Sequence, residues 1–433
     1  MQLKVSRRQN LQPVEISLTG AKNALLHLMF AALLPKTASL LHNVPTGLRD
    51  YRGVRDILSA LGAKVDETSK NSVEITPSLA HQHFDVPIQY SKKTRTSLML
   101  LGVLAKRVKS LKIGYPGGCS FSDERPFDIH LDGLTALGAS VMVSEYHVEI
   151  RHTRDVDAEF TLKYPSVGAS INLMFYAATG KASVHLHNIA LEPEVIEVAS
   201  YLNQCGAMIR IDHNTRSMHI QGVSALSGVH FSVMYDRIQT MSYAALAYLH
   251  KVNVTVYGVS TKEYIDAPLK YLSQMGAKWQ FDPARQSITF SGKGSVLEGA
   301  RITARPYPDF PTDLQPIFAV MLSLAVSPSV ICDTVYPERV KYVEELQKLG
   351  LPLALAQGTI TVTPLNRKRN HLHAARLKSF DLRAGMALVM AASLSDQVCY
   401  ITHAEQIFRG YENLLENMTH FMHITLSTEH YAA

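Results

Sequence analysis

Apolar and polar positions along the chain repeat with a spacing of about 70 residues, and three signals recur in the same order. The first is a small or polar cluster that opens an apolar helical run: Gly20-Ala-Lys-Asn, Lys93-Thr-Arg-Thr-Ser, Ser166-Val-Gly-Ala-Ser, Asp236-Arg-Ile-Gln-Thr, Pro311-Thr-Asp-Leu-Gln and Asp381-Leu-Arg-Ala-Gly. Ser, Thr, Asp and Asn suit helix starts because their side chains accept hydrogen bonds from the unpaired amides there. The second is a β-branched strand ending near a turn, read at Ser39–Val44, Ser110–Gly114, Ser183–Ile189, Val252–Val259, Ser329–Val335 and Gln397–Ala404. The third is a helix that closes on glycine before another strand: Leu61-Gly-Ala-Lys-Val, Leu137-Gly-Ala-Ser-Val, Cys205-Gly-Ala-Met-Ile, Met275-Gly-Ala-Lys-Trp and Leu349-Gly-Leu-Pro-Leu. Glycine just past a helix fits a left-handed cap. The sixth copy, near His420, lacks it.

Each unit therefore reads βαβαββ, and six units predict an α/β repeat protein rather than a solenoid of shorter period. Two groups of three give two similar lobes. No GxGxxG follows a strand, so a dinucleotide-binding sheet is not expected.

Composition narrows the class. The chain has 433 residues, 46% hydrophobic and 18% charged, which is a globular balance. No apolar run reaches the roughly 18–20 residues of a membrane span, and Met1 to Pro13 is polar and basic, unlike a signal peptide. A cytoplasmic location is the expectation. Cys119, Cys205, Cys332 and Cys399 form no CxxC pair, so neither a metal site nor a redox motif is expected. The net charge of +6 is mild, and its densest cluster, Arg367-Lys368-Arg369, reads as a solvated loop. Without a basic stripe interleaved with aromatics, nucleic acid is not an expected partner.

The helix starts carry the chemistry. Helix N-termini present unpaired N–H groups and partial positive charge. Lys22, Arg95, Arg237 and Arg383 lie at or beside such starts, where a cation is unfavourable unless an anion justifies it. Either a multiply charged ligand or a nearby acid such as Asp236 or Asp381 serves. The least repetitive stretch, Tyr115-Pro-Gly-Gly-Cys-Ser-Phe-Ser-Asp-Glu-Arg-Pro-Phe-Asp-Ile-His130, puts a thiol on a glycine-rich loop that can act as a lid. Such a thiol is either a proton donor or nucleophile, or a loop cysteine without a role.

These pieces resemble a known family. Gly20-Ala-Lys-Asn-Ala, Pro116-Gly-Gly-Cys, Arg125-Pro-Phe-Asp-Ile-His, Ser166-Val-Gly-Ala, Glu192-Pro-Glu, Asp236-Arg-Ile, Phe310-Pro-Thr-Asp-Leu-Gln, Asp381-Leu-Arg and Arg409-Gly-Tyr stand in the order found in the UDP-N-acetylglucosamine enolpyruvyl transferases of peptidoglycan synthesis. The match runs from Gly20 to Tyr411. The related shikimate-pathway synthases share the fold but lack the Gly-Gly-Cys loop.

The resemblance implies two inside-out α/β barrels of three repeats each, with the active site between the domains. One lobe would be 22–234, and 1–21 with 235–433 would form the other. It implies transfer of the enolpyruvyl group from phosphoenolpyruvate to a nucleotide-sugar hydroxyl by addition and elimination, with no cofactor. Cys119 would be the general acid, and Asp313 would take the acceptor's proton. Lys22, Asn23, Arg125, Arg383 and Arg409 would hold phosphoenolpyruvate, with Lys22 also catalytic. Asn23, Arg95, Arg125, Pro126, Phe127, Asp128, Ile129, Ser166, Val167, Gly168, Asp313 and Val335 would bind the nucleotide sugar.

The sequence departs from the family in places. The loop from Cys119 to Arg125 is one residue longer, Phe408 and Gln239 stand where acids are usual, and Tyr164-Pro165 replaces a lysine of some members. The segment Tyr336-Pro-Glu-Arg-Val-Lys lacks the aromatic and histidine usual after the arginine. These changes leave room for a paralogue acting on another uridine nucleotide such as UMP, or for a silent nucleotide-sugar-binding regulator.

Overall fold

The computed structural model describes residues 1–78, 82–86, 88–92, 94–115, 127–365 and 372–427. Cys119, Arg125, Pro126 and the Arg367-Lys368-Arg369 cluster lie outside the described residues. The chain divides into two compact units. One comprises Thr19 to Met234; the other joins Met1–Leu18 to the chain from Tyr235 onward.

Each unit has three central helices and three four-stranded sheets among the described residues. In the first unit the helices are α1 (Lys22–Ala31), α2 (Met99–Leu104) and α3 (Val167–Ala178). In the second they are α4 (Arg237–His250), α5 (Gln315–Leu322) and α6 (Leu382–Ala392). All of α5 and α6, and all of α4 except its last residue, is buried. Helices this apolar on every side belong inside, with sheets around them, which is the inside-out barrel.

The sheets share one topology. In each, the second strand pairs parallel to the first and antiparallel to the third. In the first unit, Ser183–His187 runs parallel to Ala158–Thr161 and antiparallel to Ser217–Gln221. In the second, Asn253–Tyr257 pairs parallel to Val14–Ser17 and antiparallel to Ser287–Ser291. The N-terminal strand Gln2–Arg7 lies between Cys399–Thr402 and Met422–Leu426. Strands such as Val14–Ser17 and His83–Val86 alternate buried and exposed positions, as a sheet with one face on a core must, whereas Lys64–Ser69 has no buried position.

The predicted strands are present but most end earlier than their apolar runs. Ser39–His42 stops where Asn43 turns left-handed (φ 58°), and Cys399–Thr402 stops at His403 (φ 55°). Asp333 ends its strand by accepting hydrogen bonds from the amides of Val335 and Tyr336, both at 2.9 Å. The five glycine helix ends all have positive φ, from 79° at Gly276 to 101° at Gly206. In the sixth unit Phe421, which follows the helix cap His420, is not among the positive-φ residues, so no glycine is required there.

Two of these glycines separate backbone strain from steric clash. A Cβ at Gly206 meets nothing within 4 Å. Gly206→Ala is expected to lose about 1 kcal/mol, the penalty of a left-handed non-glycine residue. A Cβ at Gly138 runs into the carbonyl oxygen of Arg154, so Gly138→Ala is expected to lose at least twice as much. Urea unfolding of the two variants checks the order; equal losses would show that packing around Gly138 yields freely.

Candidate active site

Within the first unit the predicted residues cluster at helix starts. Lys22 is the first residue of α1, and its Nζ lies 3.6 Å from Oδ2 of the buried Asp50. Asn23 follows it in the first turn. Thr94 caps the 3-10 turn that opens with Arg95, accepting a hydrogen bond from the Thr96 amide at 3.3 Å. Ser166 caps α3 by accepting from the Ala169 amide at 3.3 Å, which places Val167 and Gly168 in its first turn. Gly168 faces His130: a Cβ there would come within 3.1 Å of the imidazole. Phe127 packs against Tyr115, ring centroids 5.6 Å apart, just before the helix Asp128–Ala136. Asp128 is held by Lys163, which keeps its carboxyl below the usual range; Ile129 follows in the same turn.

A polar core ties these starts together. Asn172 on α3 donates to the Leu98 carbonyl at 3.0 Å and shares a 3.0 Å contact with His130 Nδ1. Its Oδ1 accepts from the Gly102 amide at 2.7 Å. Burial, and then the charge of Arg95, pushes His130 down to about 3. Burial likewise brings His27 on α1 down to about 4, and Lys22 acts in the same direction. Both are neutral at pH 7.

Acid should therefore destabilise the fold through these two imidazoles. The unfolded chain takes up their protons near the ordinary value of 6.5, the folded chain only near 4 and 3. Stability falls as pH drops below that ordinary value, by about 1.4 kcal/mol per pH unit for each histidine. At pH 5 this is roughly 2 kcal/mol apiece. His130→Gln is expected to shrink the difference in unfolding free energy between pH 7 and pH 5 by about that amount. The same pH slope in the variant would show that His130 does not carry it.

The second unit gathers a denser charged cluster. Asp313 sits in the 3-10 turn Thr312–Leu314 ahead of α5. Its Oδ1 accepts from Arg339 Nη1 at 2.9 Å, and its Oδ2 from Arg383 Nε at 3.2 Å. Arg339 also reaches Thr312 Oγ1 at 3.2 Å and Asp381 at 3.8 Å. Asp381 caps α6, accepting from the amides of Arg383 (2.7 Å) and Ala384 (3.0 Å). Asp236 caps α4 in the same way, through Ile238 (3.0 Å) and Gln239 (2.9 Å). The guanidinium of Arg383 lies over the Tyr411 ring at 5.4 Å, and the Tyr411 hydroxyl is 2.8 Å from Ser242 Oγ. Arg383 is only 1% exposed, yet its Nη1 has no hydrogen-bond partner among the described residues. Arg409 donates to Gln406 Oε1 at 3.1 Å. Val335 is placed by the Asp333 turn.

Asp313 and Arg383 are thus in direct contact, as are Lys22 and Asp50. The acids considered for pairing with the helix-start cations, Asp236 and Asp381, chiefly cap their own helices, and Asp313 is the partner of Arg383. The departures have local explanations. Gln239 donates to Asp236 Oδ2 at 3.2 Å, and Phe408 packs against the apolar core. Lys163, Asp50, Arg339 and Asn172 were not singled out as site residues. Lys163 stands one place before Tyr164-Pro165, so a lysine sought at that level was within reach. The described cysteines form no disulfide; burial raises Cys205 to about 11 and also pushes Cys399 upward. No group of three metal-ligating side chains occurs among the described residues.

Residues 7–418 match the family EPSP synthase (3-phosphoshikimate 1-carboxyvinyltransferase). A UDP-N-acetylglucosamine 1-carboxyvinyltransferase of Finegoldia magna is 32% identical over 414 residues, 95% of each chain. One from Thermotoga maritima is 33% identical over 407 residues, 94% of each. The crystal structure of the enolpyruvyl transferase NikO from Streptomyces tendae superposes with a TM-score of 0.86 at 19% identity, covering 98% of both chains. EPSP synthase from Acinetobacter baumannii gives 0.73 at 14%, covering 98% of this chain and 100% of that one. The chain belongs to the EPSP synthase (3-phosphoshikimate 1-carboxyvinyltransferase) family and is an enolpyruvyl transferase.

Proposed function

We propose that this enzyme transfers the enolpyruvyl group of phosphoenolpyruvate to the 3-hydroxyl of UDP-N-acetylglucosamine, releasing phosphate, as a step of cytoplasmic peptidoglycan precursor synthesis. The observation that carries the reading is Arg383: a fully buried guanidinium that fixes Asp313 with Nε and leaves Nη1 without a hydrogen-bond partner among the described residues. A buried donor without a partner is unfavourable by about 1–3 kcal/mol, and an oxyanion would relieve it. The names of the relatives supply the acceptor.

In this reading Cys119 delivers a proton to C3 of phosphoenolpyruvate while the acceptor oxygen attacks C2. Asp313 takes the hydroxyl proton. Each of its oxygens accepts one guanidinium N–H, so each keeps a lone pair for that hydroxyl, and its orientation is set beforehand. The tetrahedral intermediate then returns a proton from C3 to the Cys119 thiolate as the bond from C2 to the phosphate oxygen breaks, which restores the double bond and releases phosphate. Lys22, Asn23, Arg125, Arg383 and Arg409 hold phosphate and carboxylate, and preorganised charge of this kind is usually the largest catalytic contribution. Arg95, Pro126 to Ile129, Ser166 to Gly168 and Val335 are assigned to the nucleotide sugar. The reading requires groups from both units to meet one substrate. Among the described residues no helix is long and apolar enough to cross a membrane, and the reaction needs none.

Phosphate release measured against a panel of acceptors tests the assignment. Turnover is expected with UDP-N-acetylglucosamine and phosphoenolpyruvate together and not with either alone. Turnover with UMP and none with UDP-N-acetylglucosamine would transfer the assignment to a paralogue for another uridine nucleotide. Absence of phosphate release and of isotope exchange at C3 with every acceptor would leave a silent binding protein.

A further inference from the structure

Tyr411 touches the charged cluster of the second unit without belonging to its ion pairs. Its side chain is buried, and its hydroxyl is hydrogen-bonded to Ser242 and to Arg383. The chemistry of the three groups fixes the direction of each bond. Ser242 Oγ donates its single proton to the Ile238 carbonyl at 2.9 Å. Across the 2.8 Å contact the phenol must therefore donate to the serine. A guanidinium has donors and no acceptor, so the phenol oxygen accepts from Arg383. A one-way chain results, from Arg383 through Tyr411 and Ser242 to a backbone carbonyl in the first turn of α4. Burial holds the phenol above its ordinary pKa, so it keeps the proton this chain requires.

The chain acts on a guanidinium that has only one carboxylate contact. Nε donates to Asp313 at 3.2 Å, while Nη1 has no hydrogen-bond partner among the described residues. One contact at Nε leaves the planar group free to tilt; a second, to the phenol, stops it. The support is itself tightly packed. Tyr411 follows the 3-10 segment Ala404–Arg409, which lies against the first turns of α6. A Cβ at Gly410 would come within 2.5 Å of the Leu382 side chain, and one at Gly385 within 2.7 Å of Ile407. Two glycines thus let the segments approach closely, so Arg383 and Arg409 stand on pieces of chain locked to each other.

We propose that Tyr411 is a positioning residue for enolpyruvyl transfer: it holds the Arg383 guanidinium so that Nε serves Asp313 and Nη1 is left for the substrate oxyanion. It does not touch substrate itself. The inference rests on the reading that Arg383 binds phosphoenolpyruvate. A phenol suits this task better than a second carboxylate. A carboxylate would compete with the substrate for the positive charge, whereas a neutral hydroxyl orients the guanidinium and leaves its charge to the ligand.

Steady-state kinetics of Tyr411→Phe, Arg383→Ala and the double variant test it. Phenylalanine keeps the ring, and Ser242 keeps its bond to Ile238, so Tyr411→Phe should melt within about 4 °C of wild type. It is expected to lower kcat/KM for phosphoenolpyruvate about tenfold and to leave KM for the acceptor nucleotide within about twofold. A general loosening of the fold would not produce that split. In the Arg383→Ala background the same change should lower kcat/KM by less than about twofold, because no guanidinium remains to be oriented. Ser242→Ala removes the phenol's acceptor but not the phenol, and should give an intermediate loss of about threefold. Unchanged kcat/KM in Tyr411→Phe, or the full loss persisting without Arg383, would overturn the inference and leave Arg383 in the site. Near wild-type activity in Arg383→Ala would instead remove the reading beneath it, and the inference with it.

Discussion

Arg383→Ala is expected to lower kcat/KM about 10³-fold, equivalent to roughly 4 kcal/mol of transition-state stabilisation. The reason is geometric. The guanidinium is fully buried, holds Asp313 through Nε at 3.2 Å, and keeps an Nη1 that has no hydrogen-bond partner among the described residues. Removing it deletes an oxyanion donor and frees one edge of the carboxylate assigned to the acceptor hydroxyl. Stability should change far less than activity, because the variant loses an ion pair but also loses an unsatisfied buried donor. Arg383→Lys restores charge without the planar fork, and is expected to recover only part of the rate, about tenfold. Steady-state kinetics with thermal melts of both variants separate the effects. Activity within threefold of wild type for Arg383→Ala would remove Arg383 from the site.

Much of this was readable in the amino-acid sequence, and the reason is locality. Four of the six helix starts were legible because the caps Thr94, Ser166, Asp236 and Asp381 bond to amides two or three residues away. The glycine ends were legible for the same reason. Strand ends were less so: left-handed turns at Asn43 and His403 leave no mark in the apolar pattern. The site divides along the same line. Lys22 and Arg383 stood out as cations at helix starts, and Asp313 through the family resemblance, but their partners did not. Asp313 pairs with residues 26 and 70 positions away, and Asn172 meets His130 across 42. Beside a multiply charged ligand, sequence alone offered the adjacent Asp236 and Asp381 as counter-ions. The structure uses both chiefly as caps, and the pairing falls to a carboxylate from another repeat. Charge pairing across repeats is set by the packing of the central helices, which no single segment encodes.

The second large effect is expected at Cys119, which lies outside the described residues and is assigned from the family resemblance. Cys119→Ser should reduce turnover about 10²–10⁴-fold, the usual range for general acid catalysis, with the melting temperature unchanged. A serine hydroxyl is too weak an acid to protonate carbon at neutral pH, whereas a thiol or a carboxyl is not. Cys119→Asp should therefore retain much of the activity. The two functional groups also differ as nucleophiles. A thiolate opens an epoxide and remains alkylated, so wild-type enzyme should lose activity irreversibly with a phosphonate epoxide. The Asp variant, whose carboxylate is the poorer nucleophile, should resist. Mass spectrometry of the treated proteins gives a readout besides rate: one adduct on wild type, none on Cys119→Asp or Cys119→Ser. Full turnover in Cys119→Ala would assign the proton to another donor, and an adduct persisting in that variant would place the reactive nucleophile elsewhere in the chain.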